Sequence, residues 1–380
     1  MATTFQKVSF RANTRYSFRM EVSVRLVGSA AFKAVETSEP RLAGSIPVHL
    51  RQMWKLFLLA IAGFWLLSPA MSAHADPAQP GNTRSVVTEI SPATSAIEVS
   101  IVGVDAFVKM KVQLGHSAEV IGYDEEPYLR IDEKGRVFEN SWSPTVVINQ
   151  TRYGTGSTVP TDYESTDAPT WRQIATNGEA IWHDHRVHWM SPLKPAVIND
   201  EGLVQNWQID MKVDGATTAV LGNLYVEDAP GSWWWLLVVP AAASALFMKK
   251  RLRHVALMSV STAVTVLGVA QYFSLPSPAR DTPSLIALSV VALLLTLVAT
   301  ALRGEEFVAA VSTAAGIALV VAVGLHRNQV THRFVPGMGD AWFVRFILPV
   351  ALGIGAVAIW HGLNALLRVP QPVLARSEEN

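Results

Sequence analysis

The feature that most constrains this chain is the run Gly231-Ser232-Trp233-Trp234-Trp235-Leu236, which continues to Met248-Lys249-Lys250-Arg251-Leu252-Arg253. Three adjacent indoles stand at one end, a basic cluster at the other, and the residues between are apolar, which is the pattern of a membrane span with an aromatic belt and a cationic stop. Four more apolar segments follow, at 255–275, 283–302, 307–325 and 343–367. Each is about 20 residues or a little longer, enough at 1.5 Å per residue to cross roughly 30 Å of hydrocarbon. The sequence therefore predicts an all-α transmembrane region over 231–368 with five helices, the first at about 232–250, and a cytoplasmic tail at 369–380. Charged residues make up only 16% of the chain, below the usual share of roughly a quarter, as a partly lipid-embedded chain requires.

Upstream of the spans the chain reads as exported. Residues 53–67 form a secretory h-region with Arg51 and Lys55 at its flank, and Ala73-His74-Ala75 supplies an A-x-A cleavage site. A signal peptide starts close to its basic flank. Its functional start is accordingly placed at Met53, its end at Ala75, and residues 1–52 are read as a spurious or disordered extension; the alternatives are a transit peptide ahead of a second signal, and an uncleaved anchor helix at 53–67. Basic residues agree on orientation: Lys249, Lys250, Arg251 and Arg253 follow the first span directly, which puts that loop and the C-terminus in the cytoplasm. The localisation expected is a multi-pass cell membrane protein with residues 76–230 extracytoplasmic.

Those residues carry β signals. Ile97, Val99 and Ile101 alternate, then Val104, Ala106, Val108, Met110, Val112 and Leu114 do so in the other phase, as strands with one buried face require. Short strands are also expected at 119–123, 127–131, 137–138 and 145–149, with a long surface loop at 153–170. Trp207, Ile209, Met211 and Val213 lead into Asp214-Gly215, a strong hairpin signal, and Thr218, Val220, Leu224 and Val226 return. Several short strands with turns between them and no helical period predict an all-β domain, with an immunoglobulin-like sandwich as the expected architecture. The chain has no cysteine, so neither disulfides nor thiolate ligands contribute, and the core must hold the domain.

Three stretches carry a resemblance: 120–130 (VIGYDEEPYLR), 149–154 (NQTRYG) and 182–190 (WHDHRVHWM). Together they resemble motifs of an uncharacterised family of exported actinobacterial membrane proteins with a signal peptide, a β domain and a helical membrane tail. The likeness covers residues from about 84 to the end and implies architecture. It carries no catalytic residue.

The chemically loaded stretch is His183-Asp184-His185-Arg186-Val187-His188-Trp189-Met190. Imidazole, carboxylate and thioether are ligand types of copper and zinc sites, which makes His183, His185 and His188 the candidate metal ligands. Read as a continuous strand, it puts His183 and His185 on one face and Asp184, His188 and Met190 on the other. The third ligand for the first pair would then come from another strand or from His116. The alternative is a strand whose polar side chains satisfy one another, with Trp182 and Trp189 packing the core. Tyr123-Asp124-Glu125-Glu126-Pro127-Tyr128 collects three carboxylates; ordinary turn chemistry explains them better than a calcium or acid–base site. Arg152 and Arg186 are expected to pair with these acids. His326, His332 and Met338 fall in a loop that would face the β domain.

Zero formal net charge argues against nucleic acid as a partner. No nucleophile elbow, phosphate loop or recognised metal-hydrolase spacing occurs, so no catalytic residue and no cofactor is assigned beyond copper or zinc. The leading expectation is a non-enzymatic polytopic envelope protein. Its exported domain would bind a ligand or another envelope protein while the lipid bilayer surrounds its helices. Copper or zinc handling through the 183–190 strand is the alternative.

Overall fold

The computed structural model describes residues 76–153, 163–164, 168–191 and 193–367. The extension at 1–52, the export signal at 53–75, the tail at 369–380 and most of the 153–170 loop lie outside the described residues.

The β region contains β1 (Thr83–Ser91), β2 (Ile97–Val102), β3 (Phe107–Val112), β4 (Ala118–Ile121), β5 (Pro127–Ile131), β6 (Val137–Asn140), β7 (Trp171–Ala175), β8 (Glu179–His183), β9 (Leu203–Val213) and β10 (Ala216–Val226). They form a seven-stranded sheet in the order β1-β10-β9-β4-β5-β6-β7 and a three-stranded sheet in the order β2-β3-β8. All recorded strand pairs are antiparallel. Inward residues of both sheets share one core: Val108, Met110 and Trp182 from the small sheet, Val120, Leu129, Ile209, Met211 and Leu224 from the large one. The alternation predicted in β9 and β10 is present residue for residue, with Trp207, Ile209, Met211 and Val213 buried and their neighbours outward. Asp214 (φ 50°) and Gly215 (φ 81°) form the two-residue turn between them, both in the left-handed region that such hairpins require.

Val104 and Ala106 lie in the turn before β3 and not on it, with Val104 at φ 77°. Two further expectations are corrected. Residues 145–149, predicted as a strand, lie in or just after α1 (Pro144–Ile148). Pro144 at the helix start supplies a preset φ, and Ser143 precedes it in extended conformation, so the β-branched run is overruled at its first residue. Its Thr145 hydroxyl and the Ser143 hydroxyl both bind the buried Glu126 carboxylate, which also accepts Asp124 N–H at 2.9 Å. The acidic stretch at 123–128 is thus tied into the domain as turn and helix-start structure. The second correction concerns 182–190: β8 ends at His183, and the chain turns sharply over 184–188.

Beyond Val226 the structure is helical. A 3-10 turn (Ser232–Leu237) runs into α2 (Val238–Phe247), followed by α3 (Lys250–Ser274), α4 (Ser284–Ala301), α5 (Glu305–Leu325), the short α6 (Asn328–Thr331) and α7 (Trp342–Leu366). Four of these, α3, α4, α5 and α7, are long and apolar enough to cross a membrane, and Ser232–Phe247 is a shorter apolar stretch. Large apolar side chains such as Phe247, Val266, Phe273 and Leu294 point outward, which suits contact with a lipid bilayer. Small residues let the helices approach. A methyl group on Gly316 would sit 2.7 Å from the Gly355 carbonyl across the α5–α7 contact, and one on Gly353 would meet Val238 O at 2.6 Å. Trp234 and Trp235 pack into the helical core beside Val330 and Phe343, while Ala245, at the far end of α2, lines a cavity with His361.

The β region touches one end of the helical region. Ala78 N–H donates to Ala279 C=O (3.1 Å), and Gly81 and Phe334 exchange backbone hydrogen bonds (3.2 and 2.9 Å). Arg333 donates to Glu227 Oε2 through Nε (3.0 Å) and to Asn82 Oδ1 through its backbone N–H (2.8 Å). The buried Arg345 holds this loop from α7 through Asp340 (2.6 Å) and the His332 carbonyl (3.2 Å). So the 326–340 loop does face the β domain, with hydrogen bonds from Arg333 and Phe334, while His326 lines a cavity with Pro77 to Pro80.

Candidate metal centre

β3 and β8 pair so that Phe107 lies opposite His183, which closes the strand. The Asp184 carboxylate then organises the turn. Its Oδ2 accepts Trp182 Nε1 (2.9 Å) and Arg186 Nη2 (2.7 Å); its Oδ1 accepts Arg186 N–H (3.0 Å) and Nε (2.9 Å). Arg186 reaches on to Ile121 C=O (3.1 Å), and its guanidinium lies 5.0 Å from the Tyr123 ring centre. Burial would raise the Asp184 carboxyl, but the charge and hydrogen bonds of Arg186 outweigh it and hold it below the ordinary carboxylate value.

This turn brings His188 back beside the strand end. The ring centres of His183, His185 and His188 lie 5.2 Å (183–185), 4.6 Å (183–188) and 5.2 Å (185–188) apart. One ligand-type nitrogen from each lies within 4.8 Å of the others. His183 and His188 are 2% and 1% exposed, whereas His185 is half-buried and forms the open side. The expected separation of His188 onto the opposite strand face is therefore corrected: the period-2 rule does not apply past His183, because the chain there is a turn.

Two carbonyls fix the protons. His185 Nε2 lies 2.8 Å from Thr151 O, and His188 Nδ1 lies 3.0 Å from Trp189 O. A carbonyl only accepts, so each of those nitrogens carries hydrogen, leaving lone pairs on His185 Nδ1 and His188 Nε2. His188 Nε2 is buried without a partner among the described residues, as are both ring nitrogens of His183. Burial, reinforced by the neighbouring imidazoles and Arg152, pushes His183 down to about 3. Burial and then Arg152 push His188 to about 3 as well, and burial lowers His185. All three imidazoles are thus neutral at pH 7, the form that binds metal.

No protein-family model, curated protein or solved structure matches this chain. The site is consequently read from its own geometry. All three stretches quoted for the resemblance meet here. From 120–130 comes Tyr123, whose hydroxyl accepts His185 N–H (2.8 Å) and donates to Asn149 Oδ1. From 149–154 come Thr151, which orients His185, and Arg152, which is held by Asp105 (2.8 and 3.0 Å). Arg152 and Arg186, expected to pair with the acids of 123–128, pair instead with Asp105 and Asp184, and the part of Thr151 is not legible in the sequence because its contribution is a backbone carbonyl.

The other candidates fall elsewhere. His116 pairs with Asp214 (2.7 Å) at the exposed end of the β9–β10 hairpin. His326 Nδ1 contacts Ala322 O (2.8 Å) and His332 Nδ1 contacts Asn328 O (2.9 Å), both within the helical region. Met190 is 40% exposed.

Proposed function

We propose that this is a polytopic cell-envelope protein whose β domain is extracytoplasmic and binds a copper or zinc ion through His183, His185 and His188. The observation that carries this reading is the convergence of three neutral imidazoles, two of which, His183 and His188, have buried ring nitrogens without a hydrogen-bond partner among the described residues. A buried nitrogen with no hydrogen-bond partner costs about 1–3 kcal/mol, so an all-histidine cluster of this kind is poorly explained as self-satisfied packing. Three histidines with a fourth position left open are a familiar zinc donor set, and imidazole suits copper equally. Bonds of about 2.0–2.1 Å in a tetrahedron place nitrogens about 3.4 Å apart, so the cluster would contract slightly on binding. Thr151 and Trp189 would supply the outer hydrogen bonds that orient two of the ligands.

The immunoglobulin-like assignment for the two sheets, and membership of the exported actinobacterial family, belong to the same proposal. So does a fifth crossing by Ser232–Phe247. Its six-residue 3-10 turn and ten-residue α2 together rise roughly 27 Å, close to the thickness of a bilayer core. Its packing from Val330 at one end to His361 at the other supports that crossing.

The test uses the full chain in detergent, stripped with chelator and titrated with Zn(II) and with Cu(II). One ion per chain at micromolar affinity or better is expected, with nitrogen ligands visible in the Cu(II) paramagnetic resonance spectrum. Binding should disappear in the His183→Ala/His188→Ala variant. Absence of micromolar binding by the unaltered protein overturns the metal reading and leaves a domain that binds a partner.

A further inference from the structure

At the end of the helical region away from the β domain, a cavity of about 370 Å³ opens between α3, α5 and α7. Its polar side carries Lys250, Arg253, His254, Ser312, His361 and Asn364, with one carboxylate, Glu305. The opposite wall is aliphatic, formed by Leu257, Val308, Ile354 and Val357. Trp360 stands at its edge, 59% exposed, where an interfacial indole belongs.

Two helices start beside this cavity, and they differ. α5 carries Glu305 and Glu306 in its first turn, so carboxylates already face its amide-rich end. α3 has no acidic residue in its first turn and no side-chain cap; it begins Lys250-Arg251-Leu252-Arg253 behind Lys249. Cations crowded onto the positive end of a helix are unfavourable unless an anion joins them. Of the charged residues that line the cavity, Lys250 and Arg253 stand against Glu305, leaving cationic charge in excess. The N–H groups at the α3 start, an ammonium, the guanidinium of Arg253 (whose Nη1 also donates to Met248 C=O at 2.9 Å) and an adjoining greasy wall together match a phosphodiester attached to acyl chains.

We propose that this cavity holds the phosphate-bearing headgroup of an anionic membrane lipid, with its glycerol and upper acyl chains against the α5–α7 wall. Lys250, Arg253 and the α3 N-terminus take the phosphate. His254, whose Nε2 lies 3.1 Å from Ser312 Oγ, and His361, whose buried Nε2 has no partner among the described residues, line the remainder. The proposal rests on the helices lying in a bilayer and is independent of the metal.

The test is native mass spectrometry of the delipidated full chain in detergent, titrated with phosphatidylglycerol, with phosphatidylcholine of the same acyl chains, or with phosphatidylglycerol plus inorganic phosphate. One tightly retained phosphatidylglycerol is expected, with phosphatidylcholine weaker and millimolar phosphate not displacing it. Lys250→Gln/Arg253→Gln should weaken retention roughly tenfold or more, since two cations near an anionic headgroup are removed. Glu305→Gln should strengthen it. Equal retention of the two lipids, or unchanged retention in the double variant, overturns the proposal; displacement by inorganic phosphate assigns the site to a free anion and overturns the lipid. If the double variant does not fold, the Glu305→Gln result decides: no gain rejects the site. Metal titration of every variant stays unchanged if the two sites are separate.

Discussion

A backbone carbonyl cannot donate, so Thr151 and Trp189 decide which nitrogen of His185 and His188 is free, and a packed turn thereby sets ligand chemistry. The same burial makes the cluster sensitive to acid. His183 and His188 titrate near 6.5 in the unfolded chain and about 3 in the folded one. Between those values the unfolded chain binds more protons, so stability is full above about 6.5 and is lost as pH falls toward 3. Thermal melts of the metal-stripped protein at pH 7.5, 5.5 and 4.5 should fall progressively, and a His183→Gln/His188→Gln variant should fall less steeply. Parallel curves would refute the neutral-imidazole assignment. Asp184 offers a second check at this scale. Asp184→Asn leaves Arg186 half-buried without its counter-charge, which should cost about 3–5 kcal/mol. Asp184 positions the turn from outside the proposed ligand set, so the substitution should also weaken metal affinity about 10–100-fold, whereas Met190→Ala should change neither.

Elements legible in the sequence were those in which local pattern and tertiary environment agree. β9 and β10 alternate strictly because one face meets the core and the other meets water, and Asp214-Gly215 supplies the positive φ values between them. The long apolar helices were equally legible, since length and hydropathy alone define them. α1 was not, because five β-branched or turn-compatible residues look like a strand until Pro144 and the buried Glu126 are weighed together. Nor was the histidine cluster. Its composition was visible, but its convergence depends on Asp184 turning the chain, and a period-2 reading assigns His188 to the wrong face. Between helices, the small residues at 316, 353 and 355 mark close approach. Gly316→Leu should push α7 from α5, because even a methyl group there meets Gly355 O at 2.7 Å and Ile359 at 2.9 Å. Its expected signature is a lowered melting temperature in detergent with zinc stoichiometry unchanged; an unaltered melt would mean that the helices do not pack there as described.

At the scale of the whole molecule, the β region and the helical region meet through backbone pairing at Gly81–Phe334 and Ala78–Ala279, and through Arg333 with Glu227. These contacts fix which end of the bundle the β region occupies, and the charges fix the other: Lys249, Lys250, Arg251 and Arg253 lie at the end away from it. Basic loops stay on the cytoplasmic side, so the β region and the Arg333 loop should be extracytoplasmic. Five crossings carry the C-terminus to the cytoplasm, whereas four would return it to the side of the β region, so the number of spans and the orientation are one question. The chain has no cysteine, which lets single introduced cysteines report on each site. Thr331→Cys should react with a membrane-impermeant maleimide on intact cells, and Ser377→Cys only after lysis. The reverse pattern, Ser377→Cys labelled on intact cells and Thr331→Cys only after lysis, would overturn the proposed sidedness; labelling of both on intact cells would mean that Trp342–Leu366, the one long helix between them, does not cross.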